Sequence, residues 1–364
     1  MLTSNAMKWM AALLPFIVPA ACKEAAVNDH RVVVYYQTTN FNNSATEHVS
    51  LLPLINNGAI SVTHVLVAAI HIMDDDNGIR LNDYPPENPI FDQVWSDTAQ
   101  LQAAGVTVMA MIGGAASGSW SRLNDGDDAQ FEKYYGPLHD MIGTYNIQGL
   151  DLDVEQSTSL DGMIRLIDRL KKDFGSDFVI SLAPVASALT EGGGSLSGFS
   201  YFDLEAQRGD QISFYNGQFY YGWGDASSAS DYESIIDDGF PANKVVMGLV
   251  TNSANGNGYV DLDRQAPVLQ ELTGENPTFG GVAGWEFFNS LPGGNSAPWE
   301  WTAWMAEHIA PTAASEKREI SSTEAVEDDV EDGPEVDVLL DREETAAEIR
   351  ALFFNVSGLS QQKT

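Results

Sequence analysis

The chain has 364 residues, 44% of them hydrophobic and 10% aromatic, enough apolar material for a large core. Its formal charge is −34, from 18 Lys and Arg against 52 Asp and Glu. Such a chain repels phosphate backbones and anionic headgroups, which excludes nucleic-acid and membrane-surface roles and leaves neutral or cationic partners.

At the N-terminus, Lys8 precedes the apolar run 9–18 and then Pro19-Ala20-Ala21. One positive charge, an apolar stretch and small residues before a cleavage point make residues 1–21 a signal peptide, with Met7 a second candidate start. The bland alternative is a disordered leader. The run is too short, and too broken by Pro15, to span a bilayer. A secreted, extracellular protein is therefore expected. Cys22, the single cysteine, leaves no partner for an internal disulfide. With the residues before it, it only loosely matches a bacterial lipid-attachment site. Residues 22–30 read as a linker.

Apolar runs begin near Arg31, His64, Val106, Ile147, Phe178, Ile212, Val245 and Gly281. Helical patterns lie between them, such as Phe131, Tyr134, Leu138, Met141, Ile142 and Tyr145, or Met163, Ile164, Leu166, Ile167, Leu170 and Phe174. Eight βα periods in a row predict an α/β fold, a single (β/α)8 TIM barrel over 31–310. Continuous apolar strands fit a sheet buried on both faces. Residues 311–364 carry 14 acidic and 5 basic side chains, and no strand pattern. They read as a disordered acidic tail, with a short helix over 341–354. Asn42 and Asn355 each head a glycosylation sequon.

The chemistry concentrates in the fourth run, Gln148-Gly149-Leu150-Asp151-Leu152-Asp153-Val154-Glu155. Side chains alternate along a strand, so Asp151, Asp153 and Glu155 share one face and Leu150, Leu152 and Val154 the other. The apolar set must pack on the helices, which turns three carboxylates into the barrel, with Glu155 at the C-terminal mouth. Stacked carboxylates in a low-dielectric interior cannot all ionise freely, so at least one pKa rises. An acid that keeps its proton near neutrality can serve as a general acid.

This run resembles the DGxDxDxE signature of glycoside hydrolase family 18, with Gln148 in place of the first Asp. Met111-Ile112-Gly113-Gly114 resembles the family's SxGG, Gln218-Phe219-Tyr220 its QxY element, and Trp285 its eighth-strand tryptophan. The likeness spans roughly 31–305. Stretches such as LNDYPP, LAPVASAL and FFNSLPGG make it most similar to secreted fungal endo-β-N-acetylglucosaminidases. The resemblance implies that Glu155 protonates the leaving oxygen while the substrate's own 2-acetamido group attacks the anomeric carbon. Asp153 would orient and charge-stabilise that group, and Asp151 would tune Asp153. Tyr220, helped by Gln218, would hold the acetamido oxygen, and Trp285 would floor the sugar. Gly113 and Gly114 would lie in the substrate-binding set.

Three functions are weighed: an endo-β-N-acetylglucosaminidase cutting the GlcNAc-β1,4-GlcNAc core of N-glycans, a chitinase acting on β1,4-linked GlcNAc oligomers, and a non-catalytic sugar-binding barrel. About 30 residues separate the last two strands, which leaves no room for a chitinase insertion domain and predicts a shallow, open groove. Lectin-like relatives usually lose the acid at the position of Glu155, which is present. No cofactor or metal is expected, since the six histidines are scattered and Asp74-Asp75-Asp76-Asn77-Gly78 lacks the alternating ligands of a calcium loop. The Gly-rich segment 252–258 reads as a flexible rim loop. A monomer is expected.

Overall fold

The structure, a computed structural model, describes residues 30–75 and 78–310. The expected signal peptide, Cys22, nearly all of the linker, the acidic tail and Asn355 lie outside the described residues.

Among the described residues, nine strands form one sheet: β1 (Arg31–Tyr36), β2 (His64–Ile72), β3 (Ile79–Leu81), β4 (Thr107–Gly113), β5 (Gly149–Asp153), β6 (Val179–Leu182), β7 (Phe214–Gln218), β8 (Val245–Val250) and β9 (Gly281–Trp285). Eight pair in parallel in the order β1-β9-β8-β7-β6-β5-β4-β2, and β1 also pairs with β2, so the barrel closes. All eight expected strands are present. The ninth, β3, pairs antiparallel with the C-terminal end of β2 and lies outside the ring. Three residues carry no readable alternation, so no sequence pattern announced it.

Burial separates the side chains into two layers. Val32, Val34, Val65, Val67, Val108, Ile112, Leu150, Leu152, Ile180 and Met247 join the large outer core beneath the helices. Val33, Tyr35, Leu66, Met109, Met111, Phe214, Val246 and Ala283 form a separate cluster inside the barrel. The division follows strand parity, as a period of two requires. A register shift between Val67 and Ile70 interrupts that parity, which puts both Ala68 and Ala69 in the inner cluster. The expected helical stripes fall on the helices Asp128–Thr144 and Leu160–Phe174. Side-chain caps from Asp127 and Ser159 start those two helices.

One boundary differs from expectation. Strand β5 stops at Asp153, so Glu155 stands two residues beyond the paired ladder. Its last partner on β4 is Gly113, where that chain turns away with φ of +104°. With no neighbour to pair against, Val154 and Glu155 leave the sheet. Among the described residues, no helix is long and apolar enough to cross a membrane.

Candidate active site

The inner face of the barrel is apolar on β1, β2, β4 and β8, whereas β5, and β6 and β7 beyond their first residues Val179 and Phe214, turn polar side chains inward. Asp151, Asp153, Ser181, Asn216 and Gln218 are all buried there. Asp151 is fully enclosed and accepts hydrogen bonds from Tyr35 Oη (2.8 Å), Ser181 Oγ (2.6 Å) and Asn216 Nδ2 (3.1 Å). Burial pushes its carboxyl up to about 6, although all three donors favour the charged form. Asp153 sits above it with its pKa well above the ordinary carboxylate range, first from burial and then from the charges of Glu155 and Asp151. The expected rise is therefore present, and it falls on the two inner acids.

Gln218 ties the upper pair together. Its Nε2 donates to Asp153 Oδ1 (3.3 Å), to Glu155 Oε1 (3.4 Å) and to the Ala183 carbonyl (3.0 Å). Both carboxylates therefore meet one amide on one side of the mouth. Tyr220, just past β7, is buried beside them. Burial and the Asp153 and Glu155 charges raise its pKa well above the ordinary tyrosine value, so it keeps its O–H. Trp285 ends β9, half-buried, with its ring edge-on to Tyr35 at 5.5 Å between centroids.

Gly113 and Gly114 wrap the end of β5. The Gly114 N–H (3.0 Å) and Trp120 Nε1 (2.9 Å) both donate to the Asp153 carbonyl. A side chain on Gly113 would meet that carbonyl at 2.2 Å, so only hydrogen fits there. Both glycines lie against Asp153, which makes them part of the carboxylate's mounting.

Several site residues escaped the sequence reading. Tyr35 and Asn216 shared their strand parity with Val33 and Gln218, which was a usable signal. Ser181 was merely a small residue in an apolar run. Glu286 follows Trp285 and is buried, accepting from Thr38 N (2.7 Å), Thr38 Oγ1 (2.8 Å) and Gln37 N (3.2 Å). Burial raises its pKa. The 252–258 loop is pinned rather than free. Asn255 and Asn289 exchange reciprocal amide bonds of 2.7 Å, Asn252 donates to the Asn289 carbonyl, and Tyr221 N bonds Asn257 O. Gly258 lies so close to Tyr220 that a Cβ would stand 2.9 Å from that of the tyrosine.

Asp74 and Asp75 serve as partners of Lys133 and Arg80, each at 2.6 Å. Among the described residues, no group of three or more His, Cys, Asp or Glu is arranged to hold a metal ion. Asn42 is exposed, as a glycosylation acceptor must be.

The inner acids predict a stability signature. A folded pKa above the unfolded 3.8 means the native state binds the proton more tightly, so this group's effect worsens as pH rises from about 4 to about 6. Above that window the ionised Asp151 costs roughly 3 kcal/mol. Asp151→Asn should therefore raise Tm at pH 7 by roughly 2–5 °C, with the gain fading as pH falls to 4. Calorimetry at both pH values checks this, and an equal loss of Tm at each would sink it.

A sequence model described as Glycosyl hydrolases family 18 matches residues 31–274. The chain belongs to that family. It is thus a glycoside hydrolase family 18 protein built as a closed (β/α)8 barrel. Among solved structures, a fungal endo-beta-N-acetylglucosaminidase of the same family is 45% identical, covers 77% of this chain and 98% of its own, and has a TM-score of 0.73. The chitinase ChiC from Aspergillus fumigatus is 49% identical over 77% of this chain and 99% of that one, with a TM-score of 0.70. Endochitinase 4 of Metarhizium robertsii is 24% identical over 241 residues, 54% of this chain and 68% of the relative. The chain spans 52–68% of the length of three such chitinase relatives.

Proposed function

We propose that this family 18 hydrolase is a secreted endo-β-N-acetylglucosaminidase that cleaves the GlcNAc-β1,4-GlcNAc core of N-glycans with retention, through substrate assistance. The disposition of the carboxylates carries the mechanism. Asp153 and Glu155 meet the same Gln218 amide, Asp151 is enclosed and saturated with donors, and Glu286 is occupied by Gln37 and Thr38. Among the described residues, these buried carboxylates either share the Gln218 amide with Glu155 or are held by other donors, which supports a nucleophile supplied by the substrate. The substrate's acetamido oxygen is then the nucleophile, and this family is among the exceptions to the two-carboxylate scheme.

Glu155, beyond the strand and at the mouth, protonates the leaving oxygen. Burial raises both inner acids, and the Glu155 and Asp151 charges raise Asp153 further. In its anionic form Asp153 accepts the acetamido N–H and offsets the positive charge of the forming oxazolinium. Tyr220 donates to the acetamido oxygen, and Trp285 floors the ring. No step requires a cofactor.

Support for a branched substrate comes from the β8–β9 connection. It holds one helix, Leu262–Glu275, and short loops, with no domain to wall the groove. The fungal endo-β-N-acetylglucosaminidase likeness points the same way. The 49% likeness to a chitinase favours a second reading, cleavage of linear chitin. Incubation with a high-mannose glycoprotein and, separately, with chitin oligomers decides between them. Release of glycan from the glycoprotein at the higher kcat/KM is expected. Turnover of chitin oligomers alone would select the chitinase.

A further inference from the structure

Two large apolar side chains are exposed among the described residues, Ile60 and Tyr84. Ile60 precedes β2 and so lies at the N-terminal face of the barrel. Tyr84 lies at the opposite face, with 46% of its surface open, on the turn that leaves β3. That turn is bonded to the rim of the catalytic mouth. Asn82 accepts from Ala69 N (3.1 Å) and donates to the Gln37 carbonyl (3.0 Å), just past the end of β1. Gln37 in turn donates to Glu286, the neighbour of Trp285. A short chain of hydrogen bonds therefore links Tyr84's turn to Glu286, the residue that follows Trp285.

The backbone that presents Tyr84 is held still. Leu81 and Tyr84 exchange main-chain bonds of 2.9 and 3.2 Å, Pro85 and Pro86 follow, and Trp95 Nε1 clasps the Pro86 carbonyl at 2.8 Å. An aromatic ring on a fixed backbone loses little freedom on binding, which is how a rigid surface turns apolar contact into affinity. Along the chain, Asp83 and Glu87 on the same turn are acidic and exposed, which disfavours an anionic occupant. A neutral pyranose, apolar on its C–H face and polar at its edge, suits both features.

We propose that Tyr84 is an outer sugar platform, stacking against a pyranose of the bound glycan that lies beyond the two residues flanking the scissile bond. This rests on the hydrolase reading above and extends it to a specificity-determining residue. Tyr84→Ala should lower kcat/KM roughly three- to tenfold on a high-mannose glycopeptide or on chitohexaose, mainly through KM. An aryl glycoside of diacetylchitobiose, too short to reach the turn, should be hydrolysed as by the wild type. Tyr84→Phe, which keeps the ring, should match the wild type on every substrate. An active wild type with Tyr84→Ala unchanged on both long substrates, or equally impaired on the short one, would overturn the platform. A wild type inactive on all three substrates would instead overturn the hydrolase reading itself.

Discussion

Glu155→Gln should leave a folded protein that binds glycan and scarcely hydrolyses it. The change is isosteric, and Gln can still meet Gln218, so neither the barrel nor the mouth needs to rearrange. What it lacks is a transferable proton. General acid catalysis typically contributes ~10²–10⁴-fold, and the variant's kcat should fall within that range while KM changes little. Glu155 also stands outside the ladder, so no strand pairing depends on it. Single-turnover rates on a high-mannose glycopeptide make the measurement. Activity within threefold of wild type would dismiss Glu155 as the proton donor.

Asp153→Asn tests the nucleophile rather than the acid. An amide at this position still accepts from Gln218 and can still face the acetamido group, but it carries no charge to offset the oxazolinium. Hydrolysis of the natural linkage should drop by at least ~10²-fold, because the lost interaction exists only as the positive charge develops. A preformed sugar oxazoline has already passed that step, so the variant should still transfer the glycan from it to an acceptor. The same substitution also neutralises an acid that burial first, and then the Glu155 and Asp151 charges, raise, so Tm at pH 7 should rise rather than fall. A covalent glycosyl–Asp153 or glycosyl–Glu155 adduct would refute substrate assistance, since it would make a protein carboxylate the nucleophile.

Local pattern was enough for the barrel and its acids. The ring strands are short runs, most of them apolar on both faces and β5 apolar on one, so the strands are legible one at a time. The alternation Asp151-Leu152-Asp153 likewise fixes which face is polar, because Leu150 and Leu152 can only pack under the helices. Composition sets the expectation about partners in the same way, since a charge of −34 is a sum over residues and needs no fold. Tertiary structure decided what surrounds those acids. Tyr35, Ser181 and Asn216 come from three other strands, 116, 30 and 65 residues away from Asp151, and only barrel closure brings them to one carboxylate. The end of β5 at Asp153 depends on where β4 turns aside at Gly113, a fact about the neighbouring strand. The stillness of the 252–258 loop comes from Asn289, on the far side of a helix and a strand, while its glycines alone suggested freedom. Alternation and composition are properties of neighbouring residues along the chain. Hydrogen-bond partners and burial belong to neighbours in space, and those exist only after the barrel has closed.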